Sequence, residues 1–492
     1  MLPNLLIQSL KNIKGFNECS FLEVHSVAKQ ITSIRLNPDK IIGIGDLELG
    51  LENLELGMKH EELGFYNEII KTRNEEQETR NEKQEEQETR NVKWCKHGYY
   101  LPKRPSFTFD PLFHAGTYYV QEASSMFLWQ ILEQIIGSDT KKTVLDLCAA
   151  PGGKSTLLAS YFKDGLIISN EVIKQRAAVL VENITKWGCS NVVVTNNDPA
   201  HFKQLNDFFD IIVIDAPCSG SGLFRKDINA ITEWSEENVN HCSQRQKRII
   251  ADIINSLTEN GILIYSTCSY SKAENEDVLD WITSTYKLTS IPLTLQPNWG
   301  IISVNSDLHN AFGYRFYPDK LEGEGFFISV FKKEITTEVF KKNKQSILPI
   351  ATKQEVDIIN NFIAIPNNFY LFKQNEFIRV FPLNYLQQLQ ILVSYLYIKK
   401  AGIEIGAVKG KDLIPSHELA MSHLDLRKII KYKLNKHQAL QYLSKKEVII
   451  DTNSTGWVLA IYNNIPLGWM KVLPNRINNY YPTEWRILKT NI

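Results

Sequence analysis

Residues 143–155 read TVLDLCAAPGGKS, an apolar run that leads directly into a loop of small residues. Four further apolar runs follow, with room for a helix between successive runs: LIISN (166–170), NVVVT (191–195), DIIVID (210–215) and GILIYST (261–267). Short apolar runs that alternate with helix-length stretches predict a doubly wound, mostly parallel α/β sheet. The runs GYRFYP (313–318) and GFFISVFKK (325–333) flank a charged turn, which predicts an antiparallel hairpin at the end of that sheet.

The loop after the first strand does not match the standard nucleotide-binding motifs. A P-loop needs glycine five residues before Gly153, where this chain has Cys148, and the dinucleotide pattern fails at Ala150. Small residues before a helix still let the backbone approach a ligand, and an acid after the second strand can accept from a ribose diol. This favours a nucleoside cofactor without a pyrophosphate, of which S-adenosylmethionine is the commonest on such a sheet. The predicted cofactor-binding residues are Cys148, Ala149, Ala150, Pro151, Gly152, Gly153, Lys154, Glu171 and Asp198.

Asp198 has two interpretations that its position does not separate. It follows the third strand and could reach the adenine end or the ribose of the cofactor. It also precedes Pro199, and an aspartate at such a position commonly caps a turn.

Two cysteines follow neighbouring strands of the predicted sheet. Cys218 lies in DAPCSGSG after the fourth strand, and Cys268 lies in YSTCS after the fifth. Ligands of doubly wound sheets bind outside the carboxyl ends of the strands, so both thiols are expected in one crevice. A lone cysteine is more often a buried apolar residue. Two in small polar loops favour chemistry, with Lys154, Arg225 and Lys226 as cations that could favour a thiolate.

Three separated motifs carry a family resemblance. DLCAAPGGKS, DAPCSGSG and YSTCS resemble, in order and spacing, the cofactor and cysteine motifs of the Nop/Sun family of RNA 5-methylcytosine methyltransferases. The resemblance covers about residues 100–335 and includes YVQEASSMF (119–127) and FRKD (224–227). The segments TSIRLNP, YRFYP…GEGFF and LGWMKVLPNRINNYYPTEWR are similar to the bacterial RsmF subgroup, whose members act on small-subunit rRNA and carry a C-terminal PUA-like RNA-binding domain.

The resemblance implies a role for each catalytic candidate. Cys268 would be the nucleophile that adds to cytosine C6, and Cys218 would assist when the C5 proton leaves and the enzyme is released. Asp215 would contact the cytosine edge or the methionine part of the cofactor, and Lys154 would orient the base. The implied substrate is 16S rRNA or the small ribosomal subunit. A tRNA cytosine-C5 methyltransferase and a non-catalytic ribosome assembly factor remain alternatives.

Bulk composition limits the remaining possibilities. No stretch of the 492 residues is apolar enough to span a bilayer, and the N-terminus lacks a signal-peptide pattern, so a cytoplasmic protein is expected. The seven cysteines are odd in number and form no C-x-x-C pair, which argues against a disulfide framework or a zinc ribbon. Cys95 and His97 could be half of a metal site, but no second pair follows at a usual spacing. We expect the protein to be a monomer and to bind neither a metal nor a membrane.

Composition also divides the chain. We predict a small N-terminal α+β RNA-binding segment (1–45), a charged low-complexity insertion with two copies of EEQETRN (46–92) and the methyltransferase domain (93–335). A connecting α/β region (345–430), with an amphipathic helix around 384–398, would lead to a β-rich PUA-like domain (431–492). Residues 331–492 hold 23 Lys and Arg against 12 Asp and Glu, a balance that fits a partner with a phosphate backbone or a solvated basic face.

The last forty residues interleave aromatic and basic side chains. Such a pattern suits base stacking next to phosphate contacts, but it also suits the core of a small β-domain, which we favour for most of these aromatics. The residues are Trp457, Tyr462, Trp469, Tyr480, Tyr481 and Trp485, with Lys471, Arg476 and Arg486 between them.

Overall fold

The computed structural model describes residues 2–27, 30–40, 89–334, 344–450 and 454–489. Most of the predicted insertion at 46–92, including both EEQETRN copies up to residue 88, lies outside these described residues. At the N-terminus, two helices precede a four-stranded antiparallel sheet in the order β2-β3-β1-β4. The elements are α1 Asn4–Leu10, α2 Glu18–Ser26, β1 Thr32–Leu36, β2 Arg90–Asn91, β3 Gly98–Leu101, α3 Pro111–His114 and β4 Tyr118–Val120.

The central sheet follows from the apolar runs of the sequence. Its strands are β5 Thr143–Asp146, β6 Leu166–Asn170, β7 Val192–Thr195, β8 Phe209–Asp215, β9 Leu257–Thr267, β10 Leu288–Ser290, β11 Ile302–Asn305, β12 Phe312–Phe316 and β13 Phe326–Lys333. The order is β11-β12-β13-β9-β8-β5-β6-β7, with β10 paired to β13. Strands β5 to β9 are parallel, whereas β12 and β13 are antiparallel. The parallel core of the sheet and the terminal hairpin are therefore confirmed, whereas the strands added at both edges are antiparallel.

Helices cover both faces of this sheet, which explains why its strands are apolar on both sides. They are α4 Leu128–Ile135, α5 Gly153–Tyr161, α6 Lys174–Trp187, α7 Ile228–Glu233, α8 Glu236–Ile253 and α9 Glu276–Thr285. Leu132, Leu157 and Leu180 from α4, α5 and α6 belong to one core cluster. Ile250 of α8 and Leu279 of α9 belong to the cluster on the opposite face.

The connecting region contributes a second sheet and one strand to the central sheet. Its elements are α10 Lys353–Phe362, β14 Phe369–Gln374, β15 Phe377–Pro382, α11 Leu386–Tyr395, β16 Ile398–Ala401, β17 Ile403–Lys409, β18 Asp412–Pro415 and α12 His417–Met421. The predicted amphipathic helix is confirmed as α11. Strand β16 pairs antiparallel with β7, so the region after the methyltransferase hairpin completes one edge of its sheet.

The C-terminal region is β-rich, as predicted. It contains β19 Lys431–Lys433, α13 Lys436–Leu443, β20 Gly456–Tyr462, β21 Ile465–Leu473 and β22 Arg476–Asn479. Its core is shared with the N-terminal sheet, since Ile34 and Leu112 belong to the same cluster as Leu440 and Val458. Within the described ranges, no helix is both long and apolar enough to cross a bilayer.

Candidate active site

The two predicted thiols meet at the carboxyl edge of the central sheet. Strands β8 and β9 are parallel neighbours, with Asp215 paired in register to Ser266. The loops that follow bring Cys218 Sγ and Cys268 Sγ to 2.9 Å, although the residues are 50 positions apart. Both side chains are partly exposed. Sulfur atoms this close can form a hydrogen bond in which either one is the donor.

The environment distinguishes Cys218 from an ordinary thiol. Its hydrogen bond with Cys268, followed by burial, holds the pKa of Cys218 well above its usual value. A higher pKa means that Cys218 keeps its proton at a pH where a free cysteine would begin to ionise. In the resting pair, either sulfur can be the donor.

Lys154 and Asp215 form an ion pair beside the thiols. Lys154 Nζ lies 2.7 Å from Asp215 Oδ2 and 5.2 Å from the centre of the Phe326 ring. Ser266 Oγ donates to the other carboxylate oxygen of Asp215 at 2.8 Å. The Lys154 amine at the start of α5 thus reaches the end of β8. Its contacts with Asp215 and the Phe326 ring fix the direction of the side chain.

The loop of small residues leads into α5. The Ala150–Pro151 peptide bond is cis, and Gly152 has φ of +120°, a conformation that favours glycine. Arg176 Nη2 donates to the carbonyl of Ala150 at 2.7 Å, and Asn183 Nδ2 donates to that of Pro151 at 2.8 Å. Helix α6 therefore holds the outer side of this loop.

The two acids predicted for the cofactor differ in their surroundings. Glu171 is buried, accepts from the amide of Ile173 at 2.9 Å and lies 3.2 Å from Arg176 Nη1. Asp198 Oδ1 accepts from the amide of Ala200 at 2.9 Å and caps the 3₁₀ turn Pro199–Gln204. The turn-cap interpretation of Asp198 is thus confirmed, whereas its cofactor contact stays a prediction.

One acid of the cofactor loop was missed by the sequence reasoning. Asp146 ends β5 and is fully buried, with Ser155 Oγ donating to its Oδ2 at 2.7 Å and no hydrogen-bond partner on Oδ1. Burial raises the pKa of Asp146 to about 7. An unsatisfied buried acceptor at this edge fits a cationic ligand such as S-adenosylmethionine. The signal was available, because Asp146 ends its strand as Asp215 ends β8.

Other predicted groups lie elsewhere. Arg225 donates to the carbonyl of Gly323 at 3.2 Å and lies 3.8 Å from Glu324, so its charge is directed toward the hairpin. Burial raises the pKa of Cys148. His97 lies edge-on to Trp129, and burial lowers the pKa of His97 to about 4. Among the described residues, no group of three or more His, Cys, Asp or Glu side chains could hold a metal ion.

Family comparisons match three parts of the chain. Residues 134–332 match the family 16S rRNA methyltransferase RsmB/F, residues 430–487 match the methyltransferase RsmF PUA domain, and residues 56–123 match the N-terminal domain of 16S rRNA methyltransferase RsmF. Ribosomal RNA small subunit methyltransferase F of Psychromonas ingrahamii is 31% identical over 414 residues, with 80% of this chain and 84% of that protein covered. The chain belongs to the ribosomal RNA small subunit methyltransferase F family. A member from Shewanella loihica is 29% identical over 411 residues, with 80% and 83% covered.

Solved structures share the fold of this family member. NSun6 from Pyrococcus horikoshii with SFG is 18% identical, with a TM-score of 0.50 and coverage of 68% of this chain and 99% of that chain. The crystal structure of PH0851 is 24% identical, with a TM-score of 0.52 and coverage of 68% and 66%. At such identities the likeness concerns the fold alone.

The PUA domain of this family member divides its aromatic residues between core and surface. Trp469 and Tyr481 are fully buried, which confirms a core role for these two. Tyr480 is 39% exposed and lies edge-on to the half-buried Trp457, with ring centres 4.5 Å apart. Lys471 Nζ lies 5.1 Å from the Trp457 ring. We call Trp457, Lys471 and Tyr480 the aromatic patch.

Proposed function

We propose that this protein is an RNA (cytosine-C5-)-methyltransferase that uses S-adenosylmethionine to methylate a cytosine of 16S rRNA through a covalent cysteine adduct. The observation that carries the proposal is the 2.9 Å separation of Cys218 Sγ and Cys268 Sγ next to the Lys154–Asp215 pair. A single thiol would suffice for a nucleophile. Two thiols in contact fit a reaction that needs both a nucleophile and a second group to take a proton.

The chemistry explains why a nucleophile is needed at all. Cytosine C5 is too weakly nucleophilic to attack a sulfonium methyl group directly. Addition of the Cys268 thiolate to C6 would make C5 an enamine carbon, and C5 would take the methyl group as the bond from that group to the sulfonium sulfur breaks and S-adenosylhomocysteine leaves. The C5 proton then leaves to a base, and the C6–S bond breaks to return the thiolate. The bound cofactor supplies only the methyl group.

The family resemblance assigns Cys268 as the attacking thiol, and the contact between the two sulfurs, which raises the pKa of Cys218, fits Cys218 as its partner. The largest cause of the raised pKa is the hydrogen bond between the two sulfurs. Once Cys268 is bonded to C6, its sulfur is no longer a thiol or a thiolate, so this cause disappears. Cys218 could then lose its proton to solvent and, as a thiolate, accept the C5 proton. The contact between the two residues is consistent with this order of steps.

The ion pair and the cofactor loop suit the remaining tasks. Charge develops on the cytosine ring when the thiolate adds, and a preorganised donor near the ring stabilises it. Lys154 and Asp215 would contact the base, with Asp215 also within reach of the methionine part of the cofactor. Asp146, Glu171 and the loop at Gly152 would hold the cofactor itself.

The aromatic patch supports an RNA substrate. Aromatic faces stack on bases, and a neighbouring lysine meets phosphates. The target cytosine must also leave its stack, which costs a few kcal/mol and least for an unpaired base. Recognition would thus combine RNA shape at the crevice with contacts of the PUA domain.

The two thiols can be tested separately. Cys218→Ser should accumulate a covalent RNA adduct that survives denaturing electrophoresis, because release needs Cys218. Cys268→Ser should form no adduct and transfer no methyl group. Methylation by Cys268→Ser would contradict the assigned nucleophile.

The substrate is tested with labelled cofactor and three nucleic acids: unmodified small-subunit RNA or subunits, tRNA and DNA. We expect label in 16S rRNA alone, located by bisulfite mapping. Label in tRNA would favour a tRNA enzyme. No label in any of them, together with intact cofactor binding, would favour an assembly factor.

A further inference from the structure

A buried carboxyl group joins the two cysteine loops. Glu274 is fully buried, and its Oε2 accepts from Ser219 Oγ and Ser269 Oγ, both at 2.5 Å. Its Oε1 accepts from the backbone amide of Ser219 at 2.8 Å. Ser219 directly follows Cys218, and Ser269 directly follows Cys268. One carboxyl group therefore holds the residue next to each thiol.

Two further side chains, those of Gln246 and Tyr265, also contact Glu274. Gln246 of α8 donates through Nε2 to Glu274 Oε1 at 3.2 Å and to the carbonyl of Pro217 at 3.0 Å. Tyr265 OH lies 2.6 Å from the backbone carbonyl of Glu274 and 3.0 Å from Gln246 Oε1. The carboxyl group thus has a fixed position relative to the helix layer as well as the sheet.

The side-chain contacts of the next two residues, Asn275 and Glu276, differ from those of Glu274. Asn275 Nδ2 donates to the carbonyl of Ser269 at 2.8 Å, and Asn275 Oδ1 accepts from Thr267 Oγ1 at 2.6 Å. Glu276 forms a buried ion pair with Arg315 of β12 at 2.5 Å. The Asn275 contacts hold the turn of Cys268, and the Glu276 contact joins the start of α9 to β12. Glu274 differs because its carboxyl group also contacts the loop of Cys218.

Burying this carboxyl group is costly, since burial disfavours a charge in the absence of strong partners. Burial raises the pKa of Glu274, and the donors from Ser219, Ser269 and Gln246 act against that rise. The carboxyl group is the common acceptor for these donors, so their positions depend on it.

We propose that Glu274 is a positioning residue that sets the separation and alignment of the Cys218 and Cys268 sulfurs. The use of this alignment in catalysis rests on the proposed function, but the alignment itself does not. Errors of about 1 Å in the placement of reacting groups lower rates by roughly a hundredfold. A residue that fixes both sulfurs should consequently affect turnover far more than substrate binding.

The test uses the full-length protein and the isosteric variant Glu274→Gln. Asp280→Asn is the matched control, because Asp280 lies on α9, six residues after Glu274, and its carboxyl group accepts from two backbone amides, those of Leu308 and His309, away from the thiols. Phenylarsine oxide reports on the sulfur pair without RNA: arsenic bonds to both sulfurs, and its oxygen leaves as water with the two thiol protons. Cys268→Ser shows the background of the assay.

We expect Glu274→Gln to weaken capture of phenylarsine oxide about tenfold and to lower kcat about tenfold or more, with KM for RNA and cofactor affinity within about twofold of wild type. Asp280→Asn should change none of these. If Glu274→Gln fails to fold by thermal melting, Ser269→Ala removes one of the two hydroxyl contacts and should give a smaller change in the same direction.

The outcomes separate the two proposals. Unchanged arsenic capture and kcat in folded Glu274→Gln and Ser269→Ala would overturn the role of Glu274. A parallel loss in kcat and RNA affinity, with capture intact, would also overturn it. If the wild type methylates no RNA but Glu274→Gln still weakens capture of phenylarsine oxide, the positioning role of Glu274 would be supported and the proposed function rejected.

Discussion

Lys154 Nζ and Asp215 Oδ2 lie 2.7 Å apart although they belong to different crossover units of the sheet. The lysine side chain is 10% exposed and the aspartate side chain 37%, so the pair lies at the wall of the crevice with the carboxylate toward solvent. Two strand ends are thereby joined next to the thiols. A base entering this crevice would meet a charged pair whose direction is already fixed.

Breaking this pair should reduce turnover more than cofactor binding. We expect Lys154→Met to lower kcat by about two to three orders of magnitude, which is typical for loss of one preorganised donor. Steady-state kinetics with 16S rRNA and calorimetry with the cofactor measure the two effects. A variant with unchanged kcat would show that the amine does not act on the reacting base.

The thiol pair predicts a dependence of alkylation on pH. The contact with Cys268 raises the pKa of Cys218, so the Cys218 thiolate appears only at high pH. Cys268→Ala removes the largest cause, and the alkylation of Cys218 by iodoacetamide should move to lower pH. Mass spectrometry follows Cys218, with the exposed Cys19 as internal reference. No movement of the Cys218 profile would mean that burial alone sets its pKa.

Asp146 predicts opposite changes in stability and cofactor affinity. Burial raises the pKa of Asp146 to about 7, above its value in the unfolded chain. Its contribution to stability is therefore present at low pH and is lost as pH rises from about 4 to 7. Asp146→Asn cannot ionise and should raise the melting temperature of the cofactor-free protein by about 2–4 °C at pH 7.5. At pH 4.5 the gain should be smaller.

The same substitution removes a charged acceptor from the cofactor loop. Hydrogen bonds to charged groups contribute about 1.5–3 kcal/mol, so S-adenosylmethionine affinity should fall roughly tenfold to a hundredfold. Calorimetry and thermal melting measure both effects on the same preparation. A stability gain without a loss of affinity would show that Asp146 does not face the cofactor.

Sequence patterns predicted the central sheet because its strands are apolar on both faces. They also placed Cys218 and Cys268 in one crevice, since parallel strand ends meet at one edge. The role of Glu274 could not be predicted, because its contact with Ser219 spans 55 positions and nothing local in the sequence identifies Ser219 as its partner. Nor could strand β16 be assigned to the central sheet, because nothing local identifies β7 as its partner.

The aromatic residues of the PUA domain show a different limit. Trp469 pairs with Leu459 and Lys471 pairs with Trp457, so both tryptophans lie on one face of their sheet. The alternation of side chains along the strands therefore cannot predict which of the two tryptophans is buried. Trp469 is buried because Phe362 from α10 packs against it, with ring centres 5.7 Å apart. The difference depends on a partner about a hundred residues earlier in the chain.

The close packing around Gly222 allows a steric test of whether turnover depends on the spacing of the Cys218 and Cys268 loops. A Cβ at this position would lie 2.3 Å from the carbonyl oxygen of Gly325 and 2.8 Å from that of Cys268. Gly222→Ala should push the Cys218 loop away from the Cys268 loop. We therefore expect kcat to fall about a hundredfold, with cofactor binding retained. Gly220→Ala is the control, because its φ of +74° is strained but nothing lies within 4 Å of its Cβ. Equal losses in both variants would indicate backbone strain rather than displacement.

The aromatic patch predicts two kinds of loss in RNA affinity. Tyr480→Ala should weaken binding of 16S rRNA by about 1–3 kcal/mol at every salt concentration, because stacking does not release counterions. Lys471→Ala should instead lower the slope of log affinity against log salt by about one. Lys409→Ala, on the exposed end of β17, is the charge-matched control. Filter binding from low to high salt compares the three variants, and identical curves for Lys471→Ala and Lys409→Ala would place the RNA contact on another surface.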